Sequence, residues 1–299
     1  MPTMNPAATW FVATRPWSFT MTLISVSVGS VLAALDGAFS LGLFVLAAAG
    51  AVFMHAGTNL LNDYYDVRCG LDTETAATAR YRPHAIVHGL LPAGQVAAAA
   101  WGLFAAATII GIVLAFISGW MVLLIGLIGV LAGAGYTAPP MKYKHLALGE
   151  LSVFLMWGPL MVGGAYYVQM QSLSPRALIV SIPFGVLVAL TIFANNIRDI
   201  DDDRSRHIRT IAILLGPRRG IHAYLVLMAL AYLSMLLIVF TGMLSPWALL
   251  VFLSLPLAWR LLSCMKNGIP PDADALTAQL DTAFGVLLVA ALVIQGLVG

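Results

Sequence analysis

Apolar residues gather in nine membrane-length runs, at roughly 17–35, 40–62, 94–117, 120–138, 148–168, 176–197, 220–241, 245–262 and 279–298. A bilayer core offers no partner to an unpaired backbone group, so each run is predicted to be an α-helix. Pro159, Gly163, Gly164 and Pro183 fall inside runs, where they suit kinks or close helix contact. The pattern predicts an all-α, polytopic membrane protein with nine transmembrane helices.

Two runs break this pattern in the same way. The second closes on Asn59-Leu60-Leu61-Asn62-Asp63-Tyr64-Tyr65-Asp66, followed by Asp72. The sixth closes on Asn195-Asn196-Ile197-Arg198-Asp199-Ile200-Asp201-Asp202-Asp203. The clusters stand 133 positions apart (Asn62 to Asn195, Asp66 to Asp199). Four spans separate them, so the motif-bearing halves, roughly 12–145 and 146–299, are predicted to be parallel repeats within one domain covering 1–299. Helical spacing puts Asn59, Asn62, Asp63 and Asp66 on one face, and Asn195 or Asn196 with Asp199, Asp202 and Asp203 on another. Acids near membrane depth are expensive, and two such helix ends suggest one shared cation site.

Composition agrees with the membrane reading. The chain is 61% hydrophobic and 9% charged, against roughly 25% charge in a soluble domain. The net charge of +2 points to no partner, and nucleic acid is excluded because the basic residues sit in short loops. No obligate protein partner is called for. Cys69 and Cys264 fall in predicted loops and make no metal pattern. Residues 1–17 lack the features of a cleaved signal peptide, so the first run is expected to remain. Of 15 Lys and Arg, all but Arg176 fall in loops on one side. The positive-inside rule then places the N-terminus and both acidic motifs in the cytoplasm and the C-terminus outside, in a bacterial or archaeal cell membrane.

Hard oxygen ligands facing each other at one end of a bundle suit Mg²⁺ shared with a substrate phosphate. Nearby cations (Arg68, Arg80, Arg82, Lys142, Lys144, Arg198, Arg204, Arg209) would meet the remaining phosphate charge. An apolar bundle beneath would hold a lipid tail. Together these point to ionisation of an allylic diphosphate, with the metal stabilising the leaving pyrophosphate. A transporter also carries repeats and polar intramembrane groups, but there they lie at the midplane, whereas these acids stand at one end.

The chain resembles the UbiA superfamily of intramembrane prenyltransferases, and within it the MenA branch, which makes menaquinone precursors. The likeness is carried by Arg15-Pro16, Asn62-Asp63-Tyr64-Tyr65-Asp66 with Gly70 and Asp72, Tyr136-Thr137-Ala138-Pro139-Pro140, Gly149-Glu150-Leu151, Gly158-Pro159-Leu160, and Asn195 through Arg204 with Thr210. The resemblance implies nine helices around a central cavity, capped by the loops after helices two and six. It implies that Asn62, Asp66, Asp72, Asn196, Asp199 and Asp203 bind diphosphate through Mg²⁺, and that Tyr136, Lys142 and Arg82 touch the diphosphate. Asp63, Asp66, Asp72, Asp199 and Asp203 are thus the candidate catalytic acids. Asn59, Asn62, Arg68, Arg82, Tyr136, Lys142, Asn195, Asn196 and Arg198 are the candidate substrate-binding residues. The implied reaction moves a polyprenyl chain from its diphosphate to an aromatic acceptor, 1,4-dihydroxy-2-naphthoate, with loss of the acceptor's carboxylate. Within the superfamily 4-hydroxybenzoate, geranylgeranylglyceryl phosphate, homogentisate or haem are rival acceptors. Two positions depart from the pattern: Cys69 stands where relatives often have Lys, and Arg206-His207 where they commonly read Ala-Gly.

Other residues have blander readings. Tyr64 and Tyr65 either face a prenyl cation or anchor the interface. Trp157 and Tyr166 read as packing residues. His84, His88, His145 and His207 are too scattered for a zinc site and read as solvated loop histidines. Any of them, or Asp63 or Asp72, could take a ring proton. Glu150 is expected to pair with Lys142 or Lys144, and Cys69 to be incidental.

Overall fold

The computed structural model describes residues 5–74 and 84–298. Within them the chain is helical, with one isolated backbone bridge between Leu146 and Arg209. The helices are α1 (Pro6–Ala13), α2 (Phe19–Leu35), α3 (Leu41–Arg68), α4 (Ala93–Ser118), α5 (Met121–Gly135), α6 (Gly149–Leu155), α7 (Met161–Met170), α8 (Pro175–Arg198), α9 (Ile200–Ser205), α10 (Ile211–Phe240), α11 (Leu255–Asn267) and α12 (Ala273–Val298). Among the described residues, eight helical segments are long and apolar enough to cross a bilayer. The segment predicted at 120–138 is α5, only 15 residues long. At 1.5 Å per residue it reaches about 22 Å, short of the roughly 30 Å hydrocarbon core. Nine full-length spans are therefore not what is seen. Pro139 and Pro140 stop further helix just beyond its end.

Two other elements differ from expectation, and the kink expected at Pro159 is present. α1 was not foreseen; Asn5 caps it, its Oδ1 accepting from the Ala7 amide at 2.8 Å. Its Trp10 and Ala13 pack with Leu60 and Leu61 beneath the first motif. α10 starts nine positions before the predicted 220, capped by Thr210 and bent at Gly216-Pro217. The fifth span is broken into α6 and α7 by a π turn over Met156–Leu160, where Gly158 leaves helical geometry beside Pro159. This break lies against α8: a Cβ on Gly185 would come within 2.9 Å of the Gly158 Cα.

Most of the buried apolar side chains come from α2, α8, α10 and α12, around Phe184, Tyr224 and Phe284, and a smaller cluster joins α1, α3 and α4. Outward faces remain apolar, with Phe240 at 89% and Phe116 at 88% exposure. In water such a surface would drive aggregation, whereas in lipid it is the solvated face.

Candidate functional site

α3 is 28 residues long, about 42 Å, so its last turns outrun the hydrocarbon core and carry the polar motif past it. The helix closes on a glycine turn. Gly70 takes φ +71°, its amide donates to the Val67 carbonyl at 3.1 Å, and the Leu71 amide reaches the Asp66 carbonyl at 2.8 Å. That turn folds the chain back, and the Asp72 amide comes 3.3 Å from the same carbonyl. Two carboxylates six positions apart are thereby brought to one place.

The second motif is built from α8 and α9. Asp199 is the hinge between them, and the Asp203 amide donates to the Asp199 carbonyl at 2.9 Å. α9 ends in the same kind of turn. The His207 amide bonds the Arg204 carbonyl at 3.2 Å and the Ile208 amide bonds Asp203 at 3.1 Å, with His207 at φ +58° in the place glycine usually takes. The loops of the two motifs meet directly. An Arg206 guanidinium nitrogen donates to the Leu71 carbonyl. The loop after α5 joins them, the Ala147 amide donating to Arg209 at 2.9 Å.

Beneath these loops lies a cavity of about 780 Å³, walled by α2, α3, α4, α5, α6, α7, α8 and α12. Both motifs line it: Asn59, Asn62, Asp66 and Asp72 from one side, and Asn195, Asn196, Asp199, Asp202 and Asp203 from the other. Below them the wall becomes apolar and small, with Gly111, Gly126, Gly129, Leu114 and Val122 at the far end. A charged mouth thus opens onto a greasy interior.

Cations already stand among the acids. Lys144 Nζ lies 2.6 and 2.7 Å from the two Asp66 oxygens and 2.9 Å from Asn62 Oδ1, and Asn62 Nδ2 donates to Asp66 at 2.8 Å. Arg15 makes a close ion pair with Asp63. His84, at 2% exposure, sets Nε2 3.0 Å from Asp72 and 3.9 Å from Asp63. Burial alone would raise the Asp72 carboxyl, but the hydrogen bond and charge attraction of His84, then Arg15 and Lys144, hold it below the ordinary range. Across the cavity Arg198 grips both Asp199 oxygens at 2.7 and 2.8 Å, Asn195 at 2.6 Å and Asp274 at 2.9 Å. Burial, and then the neighbouring Asp199, raise Asp203 to about 6. Crowded carboxylates with one so raised are what a divalent cation relieves. The donor set of carboxylate and amide oxygens fits Mg²⁺ in kind.

The other sequence candidates fall as follows. Asn59 donates to the Thr14 carbonyl at 2.9 Å and lines the cavity. Tyr136 lines it under Lys144, 5.8 Å from the ring centre. Asn196 donates to Glu150 Oε1 at 2.9 Å. Glu150 therefore takes an amide partner where a lysine was expected. Lys142 points to Cys69 Sγ at 3.7 Å on the surface, and Arg68 lies over the Tyr64 ring. Arg82 and Arg80 lie outside the described residues. His84 corrects the expectation of a solvated histidine, because the fold turns it inward onto Asp72. Cys264 lies within α11 and not in a loop.

Sequence reasoning passed over three residues. His55 continues the α3 stripe inward, one turn before Asn59, and lines the cavity. Its Nδ1 meets Thr22 Oγ1 at 2.8 Å, its Nε2 meets Ser18 Oγ at 3.2 Å, and its ring packs edge-on against Trp157. Thr191 stands one turn before Asn195 on α8, and Asp281 lies fully buried in α12 behind it. A lone histidine and a lone acid inside apolar runs were the available signals.

The sequence profile of the UbiA prenyltransferase family matches residues 22–293. The chain belongs to this family. It is 33% identical over 288 residues to a 1,4-dihydroxy-2-naphthoate octaprenyltransferase of Bacillus subtilis (strain 168), covering 94% of this chain and 91% of the relative. It is 29% identical to the human UbiA prenyltransferase domain-containing protein 1 over 285 residues, 94% of this chain and 82% of that one. The fold matches a UbiA homologue of Aeropyrum pernix K1 with a TM-score of 0.70 at 20% identity, over 93% of this chain and 97% of the other. A UbiA homologue of Archaeoglobus fulgidus, solved bound to GPP and Mg²⁺, matches with a TM-score of 0.63 at 16% identity, over 94% and 99%. As a UbiA-family protein with this helical surface, the chain is an integral membrane prenyltransferase.

Proposed function

We propose that the enzyme transfers a polyprenyl chain from its diphosphate to 1,4-dihydroxy-2-naphthoate, in a Mg²⁺-dependent reaction. The observation that carries this reading is the convergence of two acid–amide motifs, on α3 and α8, over one apolar cavity. The acceptor is taken from the Bacillus subtilis relative, whose likeness runs over nearly the whole chain. The metal is taken from the donor set and from the Archaeoglobus fulgidus structure with GPP and Mg²⁺.

Asn62, Asp66 and Asp72 on one side, with Asn196, Asp199 and Asp203 on the other, would hold Mg²⁺ and through it the diphosphate. Bound there, Mg²⁺ supplies Lewis-acid stabilisation of the pyrophosphate as it leaves. Lys144 now bridges Asn62 and Asp66, and is the nearest cation to exchange those oxygens for phosphate ones. Tyr136 lies beneath it. The small residues of α4 and α5 leave room for the isoprenoid tail. The walls keep water from an allylic cation that must survive until the ring attacks. Ring attack and loss of CO₂ complete the transfer. The motif-bearing end faces the cytoplasm in this reading, as the loop arginines and lysines require.

Asp66→Asn and Asp199→Asn test the clamp. Each is expected to lower turnover at least about a hundredfold in purified enzyme with Mg²⁺, while its elution and unfolding temperature stay near wild type. Near-wild-type turnover from either variant would remove the carboxylate from the mechanism.

A further inference from the structure

Asp281 has no part in the chemistry described so far. It is 0% exposed, eight positions into α12, and among the described residues it forms no ion pair. Its partners are hydroxyls: Thr191 Oγ1 donates to Oδ2 at 3.0 Å, and Thr282 Oγ1 to Oδ1 at 3.3 Å. An acid at such depth is kept at a price in stability, so a role is to be sought for it. Of its two hydrogen-bonded hydroxyls among the described residues, that of Thr191 belongs to a residue lining the cavity.

The hydrogen-bond inventory gives Thr191 a direction. A threonine hydroxyl has one proton and two lone pairs. With that proton donated to Asp281 Oδ2, Thr191 presents its lone pairs to whatever lies in the cavity. It stands one turn below Asn195 and two below Asp199 on the same face of α8, just beneath the diphosphate clamp. Facing it on α12, Ala275 and Ala278 line the cavity with side chains small enough to leave room for a flat ring. The glycine-lined space for the tail lies elsewhere, along α4 and α5.

We propose that Thr191 is the post for the acceptor's phenolic hydroxyl, and that Asp281 is a positioning residue that fixes its polarity. Thr191 binds a ring bearing an O–H and gives nothing to one whose oxygen is methylated. This rests on the reading of the enzyme as a transferase to a hydroxylated aromatic, and it names the part of the site that selects that ring.

The test is steady-state kinetics of purified enzyme with Mg²⁺ and a polyprenyl diphosphate, using 1,4-dihydroxy-2-naphthoate and its mono-methyl ethers. Thr191→Val, nearly the same shape without the hydroxyl, should raise the acceptor KM about tenfold and leave the diphosphate KM unchanged. It should also narrow the preference for the free hydroxyl over its ether. Thr191→Ser, which keeps the hydroxyl, should restore most of the loss. The unchanged diphosphate KM serves as the folding control, and Thr191→Ala replaces the valine variant if that one unfolds. Asp281→Leu should reproduce the loss of hydroxyl preference. Product from wild type together with an unaltered acceptor KM and preference in Thr191→Val would overturn this inference alone. Absence of product from wild type with any hydroxylated ring would overturn the functional reading, and this inference with it.

Discussion

Lys144 shows how the site handles its own charge. Its ammonium sits between Asn62 and both oxygens of Asp66, so that carboxylate is already paired with a cation. His145, its neighbour, is held in the opposite state. Burial, and then Lys144 and Lys142, depress its pKa to about 4, so the imidazole is neutral near pH 7. The unfolded chain takes up this proton near 6.5 and the folded one near 4. The contribution of His145 to stability is therefore full above pH 6.5 and is lost as pH falls toward 4. Thermal unfolding in detergent should show His145→Gln losing less stability than wild type across that window. Equal losses would contradict the assignment.

At the scale of elements, the two motifs work because helix ends are terminated sharply. Gly70 lets the chain turn back so that Asp72 joins Asp66, and its positive φ comes without steric strain. The matching turn after α9 uses His207 at φ +58°, exposed and without Gly's freedom. The left-handed conformation costs a non-glycine residue about 1–2 kcal/mol, and glycine's extra chain entropy returns about 0.5–1. His207→Gly should therefore stabilise the protein by roughly 0.5–1 kcal/mol, read as a raised unfolding midpoint. A lowered midpoint would mean that the imidazole supports the cap. Arg206, beside it, reaches across to the Leu71 carbonyl, so the two caps are joined.

At the scale of the whole molecule, the hydropathy runs located the spans because a bilayer tolerates few other patterns. α5 was overread for the same reason: its apolar run continues past Gly135 through Tyr136, Thr137 and Ala138, and only the two prolines show where helix must stop. The acidic motifs were legible from period and spacing. Their pairing across one cavity was foreshadowed by the 133-residue echo. What the sequence hid are the contacts made by folding back: His84 on Asp72, Glu150 with Asn196, Thr191 on Asp281. The first is made within one loop and the other two join helices distant in sequence, and no periodicity reports either kind. The whole account stands on one claim, that the two motifs together release pyrophosphate from a prenyl chain destined for an aromatic ring. The most direct measurement is mass spectrometry of products from purified protein supplied with Mg²⁺, a set of polyprenyl diphosphates and a panel of aromatic acceptors. The account predicts a prenylated, decarboxylated naphthalene product from 1,4-dihydroxy-2-naphthoate that disappears on chelation of the metal. A product from 4-hydroxybenzoate in its place, or none from any acceptor with metal present, would contradict it.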